Sequence, residues 1–179
     1  RSTVQEVYDQ ILSDINTAID LLDGTTRQHI THIDYATAMG LKDRIALVME
    51  DWTTAKESAK AAIEASGCTV QPVSNFMGLN DVTAKNVMWG ARIISDQSTM
   101  YASFFSHMDA DGSGYANSGA YKEISKTLYN QMSTADTRRA WWDPTDERNG
   151  DYGYMQNKFR FSDTQTWTGA YIWMRVEEM

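Results

Sequence analysis

The sequence predicts a mainly α chain in which helical hairpins are followed by a loop-rich, partly extended insertion. Two stretches carry this prediction. In residues 3–66, apolar residues recur at three- and four-residue steps, which is the period of an amphipathic helix. In residues 95–119 that period gives way to a Gly- and Ser-rich stretch with scattered aromatic residues, as in a long loop.

The first predicted helix covers residues 3–22, where apolar side chains form one stripe. Ser2 or Thr3 can cap its amino end, and Glu6 stands where a capping box needs a carboxylate. Asp23 and Gly24 form a turn signal that ends it.

Residues 33–66 predict two further helices that pack against each other around a short turn. Asp34 is placed as an N-cap, Glu50-Asp51 interrupts the apolar pattern, and Gly67 ends the second helix. Small residues at facing positions let two helices approach closely. These residues are Ala36, Ala38, Ala55, Ala59 and Ala62. A tight hairpin of this kind is the unit of a tetratricopeptide-like solenoid, so we assign residues 1–67 to a helical scaffold.

The remaining residues predict a different organisation. Residues 68–172 form the loop-rich insertion, within which residues 87–94 are apolar enough for a buried, strand-like segment. Residues 173–179 predict the start of a helix that is cut off after its first turn. Because the chain also opens on Arg1 rather than Met, we expect it to be an internal part of a longer protein that forms one domain.

The composition argues against several classes of protein. The chain has 179 residues and a formal net charge of −8, with no basic stripe, which argues against nucleic acid as a partner. No apolar run approaches the ~20 residues that a membrane-spanning helix needs. The single cysteine, Cys68, rules out an internal disulfide framework.

Two patterns imitate metal sites. His29 and His32 have metal-ligand spacing, but no Cys or carboxylate beside them completes a site. Residues 109–114 resemble the start of a calcium loop, yet Tyr121 stands at the position where the distal Glu ligand belongs. Turn formation explains the Asp and Gly residues equally well, so we predict neither a metal nor a cofactor.

Several motifs occur in an order that is specific in combination. After the opening helix come Lys42-Asp43-Arg44, Asp51-Trp52-x-x-Ala55, Asp136-x-Arg138-Arg139, Lys158-Phe159 and the closing IWMRVEEM. This order resembles the SusD/RagB family of outer-membrane glycan-binding lipoproteins from Bacteroidetes. The resemblance covers nearly the whole chain, although residues 95–119 match weakly and Asp51 lacks the Gly that often precedes it in the family.

The resemblance implies nutrient uptake without catalysis. Such a protein captures an oligosaccharide at the cell surface during polysaccharide utilisation. It then passes the sugar to a SusC-like TonB-dependent transporter in the outer membrane. The resemblance also implies anchoring to the outer membrane through a lipid outside these residues, with the helical repeats contacting the transporter and the irregular loops carrying the ligand.

Sugars stack their apolar C–H faces on aromatic rings and bind amides, carboxylates and Arg through their hydroxyls. Six Trp and nine Tyr, crowded towards the second half of the chain, suit this chemistry. The candidate ligand-binding residues are the aromatic and polar side chains of the insertion that are not needed for the predicted core: Trp167, Tyr171, Tyr115, Tyr101, Trp142, Asn117, Asp109 and Arg160.

Two alternatives remain open. A helical-repeat adaptor could bind a protein in its concave face, but it would not need the long aromatic insertion. A glycan-cleaving enzyme would need two carboxylates about 5–9 Å apart, for which Asp143 with Asp146 or Glu147 are candidates. These three residues surround a Pro-containing turn, where solvated carboxylates are also expected.

Overall fold

A computed structural model describes residues 1–146, 148, 150 and 152–179. Its α-helices are α1 (Val4–Leu22), α2 (Tyr35–Val48), α3 (Trp52–Ser66), α4 (Phe104–Met108) and α5 (Lys126–Gln131). Its strands are β1 (Val87–Ile93), β2 (Glu123–Ser125), β3 (Trp142–Asp143), β4 (Gly153–Gln156) and β5 (Gly169–Arg175). Short 3-10 helices cover Val73–Asn75, Ser95–Gln97, Thr137–Trp141 and Val176–Glu178. The three long helices all lie in the first part of the chain, as predicted.

The described residues divide into two compact units. Unit 1 contains residues 1–70, 84–90 and 173–179, and unit 2 contains residues 71–83 and 91–172. Strands β1 and β5 pair with each other and each contributes residues to both units. The domain boundaries predicted at residues 67 and 172 stay a prediction.

The helical hairpin of unit 1 begins and ends where the sequence predicts. The Asp34 side chain accepts a hydrogen bond from the backbone N–H of Thr37 at 2.8 Å, which caps α2. Asp51 caps α3 in the same way through Thr54 at 3.1 Å. Gly67 then adopts a left-handed conformation, with φ of 64°, at the carboxyl end of α3.

The contact between α2 and α3 is made of small side chains that the solvent does not reach. The buried alanines are Ala36, Ala38, Ala46, Ala55, Ala59 and Ala62. A hydrophobic cluster of Ala36, Ala62, Met88, Met174 and Val176 completes the core of unit 1. The hairpin is therefore confirmed as a packed pair, whereas its membership of a tetratricopeptide-like array stays a prediction.

The carboxyl-terminal prediction is wrong in part. Trp173 and Met174 lie in strand β5 rather than in a helix, and only residues 176–178 form a helical turn, of the 3-10 type. The Trp173 ring packs on Trp89 of β1 with centroids 4.7 Å apart, while Met174 points into the core with 0% exposure. This alternation is the side-chain pattern of a strand, and pairing with β1 stabilises it.

Unit 2 is built around a small antiparallel sheet in the order β2-β4-β3. Ile124 of β2 stands opposite Tyr154 of β4, and Trp142 of β3 stands opposite Gln156. Two hydrophobic clusters accompany the sheet. One contains Ile93, Phe105 and Phe161, and the other contains Ala110, Ala116 and Met155. Over the described residues, no helix is both long enough and apolar enough to cross a bilayer.

Candidate functional site

Helix α4 divides its side chains between the interior and the surface of unit 2. Ser103 caps it by accepting a hydrogen bond from the backbone N–H of Ser106 at 3.1 Å. Phe105 and Ser106 are buried, whereas Phe104 and His107 are exposed. Phe104 and His107 are three residues apart, so they lie on the same side of the helix.

Exposed rings collect on this outward side. The Tyr115 ring stacks on the His107 imidazole with centroids 4.9 Å apart, and Tyr101 meets Tyr115 edge to face at 5.3 Å. The Tyr171 hydroxyl accepts a hydrogen bond from the backbone N–H of Phe104 at 3.3 Å. We call Tyr101, Phe104, His107, Tyr115 and Tyr171 the aromatic platform. Tyr101 is 52% exposed and Tyr115 48%, so the platform offers ring surface to a ligand.

Ser106 holds the segment that carries Tyr115. Its hydroxyl accepts a hydrogen bond from the Tyr115 backbone N–H at 3.1 Å, and its carbonyl accepts one from Ala116 at 2.9 Å. Gly114 lies so close to Ser106 that an added Cβ would stand 2.8 Å from the Ser106 Cα. The platform is therefore fixed by backbone contacts rather than by the rings alone.

A buried aromatic layer supports the platform from below. Phe105 is 2% exposed, lies nearly parallel to Tyr171 with centroids 6.3 Å apart, and packs against Phe161 at 5.8 Å. Gly169 permits this packing, because a Cβ there would stand 2.8 Å from the Phe105 ring. The exposed Phe104 ring meets the Phe105 ring edge to face with centroids 5.3 Å apart, which links the surface rings to the core.

A charged network holds the loop that follows α4. Asp109 is 1% exposed and accepts hydrogen bonds from the backbone N–H groups of Asp111 at 2.9 Å and Phe161 at 2.8 Å. Arg160 lies 3.4 Å from Asp109 and also pairs with Asp111, which Arg148 contacts at 2.6 Å. Because these ion pairs and backbone hydrogen bonds join Asp109 and Asp111 to distant residues, the network positions the loop.

No family model matches the chain, and no curated protein does. Solved structures do match it. A SusD-like carbohydrate binding protein from Bacteroides vulgatus ATCC 8482 is 26% identical, with a TM-score of 0.80 over 99% of this chain and 38% of its own. This chain has a SusD-like fold.

Two more solved structures agree with this conclusion. A SusD superfamily protein from Bacteroides vulgatus ATCC 8482 has a TM-score of 0.69 at 17% identity, and one from Bacteroides thetaiotaomicron VPI-5482 has 0.67 at 19% identity. Each covers 99% of this chain, which covers 40% and 41% of theirs. The SusD-like chain thus spans about two fifths of the length of these neighbours.

The candidate residues of the SusD-like chain occupy different environments. Tyr101, Tyr115 and Tyr171 come together in the aromatic platform, and Asn117 is exposed two residues beyond Tyr115. Trp142 is half-buried in β3.

Trp167 is also half-buried and packs against the cluster that contains Phe105 and Phe161. Its φ of 53° is unusual for a residue with a side chain, and its indole N–H meets no acceptor among the described residues. A binding role for Trp167 and for the other candidates stays a prediction.

Asp109 and Arg160 lie together in the charged network rather than in the aromatic platform. Asp109 is buried, and Arg160 directs its guanidinium to Asp109, Asp111 and Asn157. Conversely, Phe104 and His107 belong to the platform but were not among the candidate ligand-binding residues predicted from the sequence. Ser103 as a cap is the local signal that could have placed them on one helix face.

The carboxylates of the enzyme alternative are engaged in turns. Asp143 accepts hydrogen bonds from the backbone and hydroxyl of Thr145 at 2.8 and 2.6 Å. The Arg148 guanidinium bonds to Asp146, which lowers the pKa of that carboxyl below its usual range. Glu147 lies outside the described residues.

The two patterns that imitate metal sites form no ligand cluster. The His29 and His32 rings meet edge to face with centroids 5.5 Å apart. Within the part of the chain that the structure describes, no three His, Cys, Asp or Glu side chains converge on a point that a metal ion could occupy. The two aspartates of the calcium-like stretch, Asp109 and Asp111, instead take part in the charged network with Arg160.

Proposed function

We propose that this chain binds an oligosaccharide on the aromatic platform. The exposed, mutually packed rings of Tyr101, His107 and Tyr115 carry the proposal. The similarity in fold to a protein described as carbohydrate binding supports it.

The chemistry of the platform suits a sugar. A pyranose presents flat C–H faces, which pack on the faces of aromatic rings. The hydroxyls of Tyr101 and Tyr115 and the imidazole of His107 can exchange hydrogen bonds with sugar hydroxyls at the rim. Because Ser106 and Phe105 fix the rings before a ligand arrives, binding requires little ordering of side chains.

We further propose that binding serves uptake rather than catalysis. In this proposal, the chain captures oligosaccharide at the cell surface and delivers it to a SusC-like TonB-dependent transporter, on a protein anchored to the outer membrane by a lipid. The engagement of Asp143 and Asp146 in turns supports a role without hydrolysis.

The test is a glycan-array screen followed by calorimetry with the 179-residue chain. We expect Tyr115→Ala to weaken binding of the selected glycan about tenfold, the scale of one lost aromatic contact. Tyr152→Ala is the matched control, because Tyr152 is 79% exposed and lies outside the platform. Its affinity should equal that of the wild type.

Two outcomes contradict the proposal. One is wild-type affinity in both Tyr115→Ala and His107→Ala, which would place the sugar elsewhere. The other is shortening of the bound oligosaccharide during incubation, measured by mass spectrometry, which would favour an enzyme.

A further inference from the structure

Unit 1 contains a groove that the carbohydrate proposal does not use. It has a volume of about 530 Å³, within the range of small-molecule sites. Its apolar wall comes from α2 and α3 and includes Leu47, Ala55, Ala59 and Ile63. We call it the hairpin groove.

Asp43 lines the hairpin groove and is its most unusual residue. The side chain belongs to α2 and is 3% exposed, yet its Oδ2 atom has no hydrogen-bond partner among the described residues. Leaving a buried carboxylate oxygen without a partner is unfavourable for the ionised form of the group. Accordingly, burial raises the pKa of Asp43, and the nearby charge of Arg44 opposes this only in part.

Trp52 also lines the groove, and the residue is 63% exposed. An exposed indole face attracts a cation when one lies within about 6 Å of the ring. The groove therefore combines a buried negative group, an exposed aromatic face and an aliphatic wall.

The other charges of the groove already have partners or lie in solvent. Lys60 pairs with Glu64 at 3.8 Å, and Glu178 pairs with Arg44 and with Arg175 at 3.0 Å. Lys56 is exposed and forms no ion pair with Asp43. Among the described residues that line the groove, Asp43 is thus the buried charged group without an ion-pair partner.

We propose that the hairpin groove binds a small organic cation, a guanidinium or ammonium group on a short aliphatic stem. The cation donates a hydrogen bond to Asp43, while the stem packs on Leu47 and Ala59 and the positive group faces the Trp52 indole. A cation fits better than a neutral donor because it balances the charge of Asp43 as well as supplying the hydrogen bond.

The test compares two probes of the same shape by calorimetry on the full 179-residue chain at constant ionic strength. Butylguanidinium carries the charge, and butylurea is its neutral counterpart. We expect the wild type to prefer butylguanidinium by about tenfold or more, the scale of a hydrogen bond between charged groups. Asp43→Asn should abolish this preference, and Trp52→Leu should reduce it.

Glu57→Gln is the matched control for net charge. Glu57 is exposed on α3 and does not line the groove, so this variant removes the same charge as Asp43→Asn at a different place. Its preference for butylguanidinium should equal that of the wild type. An equal loss in Glu57→Gln would show diffuse attraction and overturn the proposal.

Two further outcomes overturn the proposal: equal binding of both probes by the wild type, and no binding of butylguanidinium. Folding of Asp43→Asn is checked by circular dichroism. We expect it to fold, because an amide at this buried position avoids the cost of an unpaired charge. If Asp43→Asn does not fold, Trp52→Leu provides the test. A reduced preference of Trp52→Leu for butylguanidinium supports the proposal, and an unchanged preference overturns it. The platform glycan is absent from these titrations, so the result is independent of the carbohydrate proposal.

Discussion

Two separate turns of unit 2 have the same local structure, in which an Asp side chain binds the Arg two residues later. Asp136 accepts hydrogen bonds from the backbone N–H of Arg138 at 2.9 Å and from its guanidinium at 2.9 and 2.6 Å. Asp146 and Arg148 repeat the arrangement, with the backbone bond at 3.1 Å. In both turns the arginine stabilises the ionised carboxylate.

The first prediction concerns Asp136. The Arg138 side chain, helped by its backbone N–H, lowers the pKa of Asp136 from 3.8 to about 2. Arg138→Met removes the guanidinium but keeps the stem and the backbone donor. We therefore expect the pKa of Asp136 to rise from about 2 towards 3.8, measured by NMR titration of its carboxyl carbon.

The sign of the stability effect follows from the lowered pKa. Since the folded state holds Asp136 ionised, the pair stabilises the fold above pH 3.8 and this contribution is lost as the pH falls towards 2. Arg138→Met should therefore narrow the stability difference between pH 5 and pH 2 relative to the wild type. Asp146 should keep its lowered pKa in the variant. A pKa of Asp136 that stays near 2 would contradict the assigned cause.

At the residue scale, the sequence predicts helix caps better than the burial of polar side chains. Asp34 is predicted as a cap because a cap bonds to a backbone group three residues away, and the structure adds Asp51 as a second cap of the same kind. Asp109 is the same residue type, but one of its hydrogen-bond partners is Phe161, which lies 52 positions further along the chain. Its burial therefore depends on tertiary structure that local reasoning does not contain.

At the scale of elements, the aromatic platform depends on how closely two pieces of backbone approach. Gly114 passes against Ser106, and an added Cβ would stand 2.8 Å from the Ser106 Cα. Backbone atoms cannot move aside as a flexible side chain can. The segment that carries Tyr115 must therefore shift if this glycine gains a side chain.

The second prediction follows. Gly114→Ala should lose about 1–3 kcal/mol of unfolding free energy, the usual cost of an inserted methyl group in a packed site. It should also weaken glycan binding, because Tyr115 moves away from His107. Chemical denaturation and calorimetry measure the two effects. Ser113→Ala, at an exposed neighbouring position, is the control and should match the wild type in both. A Gly114→Ala chain as stable as wild type would show that the loop adapts.

The difference between local signals and tertiary contacts also explains which helices and strands the sequence predicted. Helices α1, α2 and α3 were predicted because their apolar period and caps are local. Strand β5 was missed in part, although Tyr171, Ile172 and Trp173 are residue types enriched in strands, because its pairing with β1 is not local. Helix α4 is only five residues long, too short for a period to be recognised. The outward position of His107 was therefore not predicted, and the Ser103 cap is the one local signal for it.

At the scale of the whole molecule, the core of unit 1 is assembled from distant parts of the sequence. Ala36 and Ala62 from the helical hairpin pack in one cluster with Met88, Met174 and Val176. Met174 is 0% exposed and Val176 is 2% exposed. The hairpin therefore depends on the last residues of the chain for its buried surface.

The third prediction tests this dependence. A shortened chain of residues 1–70 keeps α1, α2 and α3 but lacks Met88, Met174 and Val176. We expect it to melt without a cooperative transition in circular dichroism. In the full chain, Met174→Ala should lose about 2–5 kcal/mol, as for other buried methionines. A shortened chain that melts cooperatively at the wild-type temperature would show that the hairpin is self-sufficient.

The split origin of this core also sets an order of events during synthesis. A ribosome adds about 5–20 residues per second, so roughly ten seconds separate the emergence of Ala62 from that of Met174. Throughout that interval the nascent hairpin displays alanine and methionine surface that its own residues do not cover. Because contacts between distant segments slow folding, the hairpin can complete its core only after Met174 and Val176 have been synthesised.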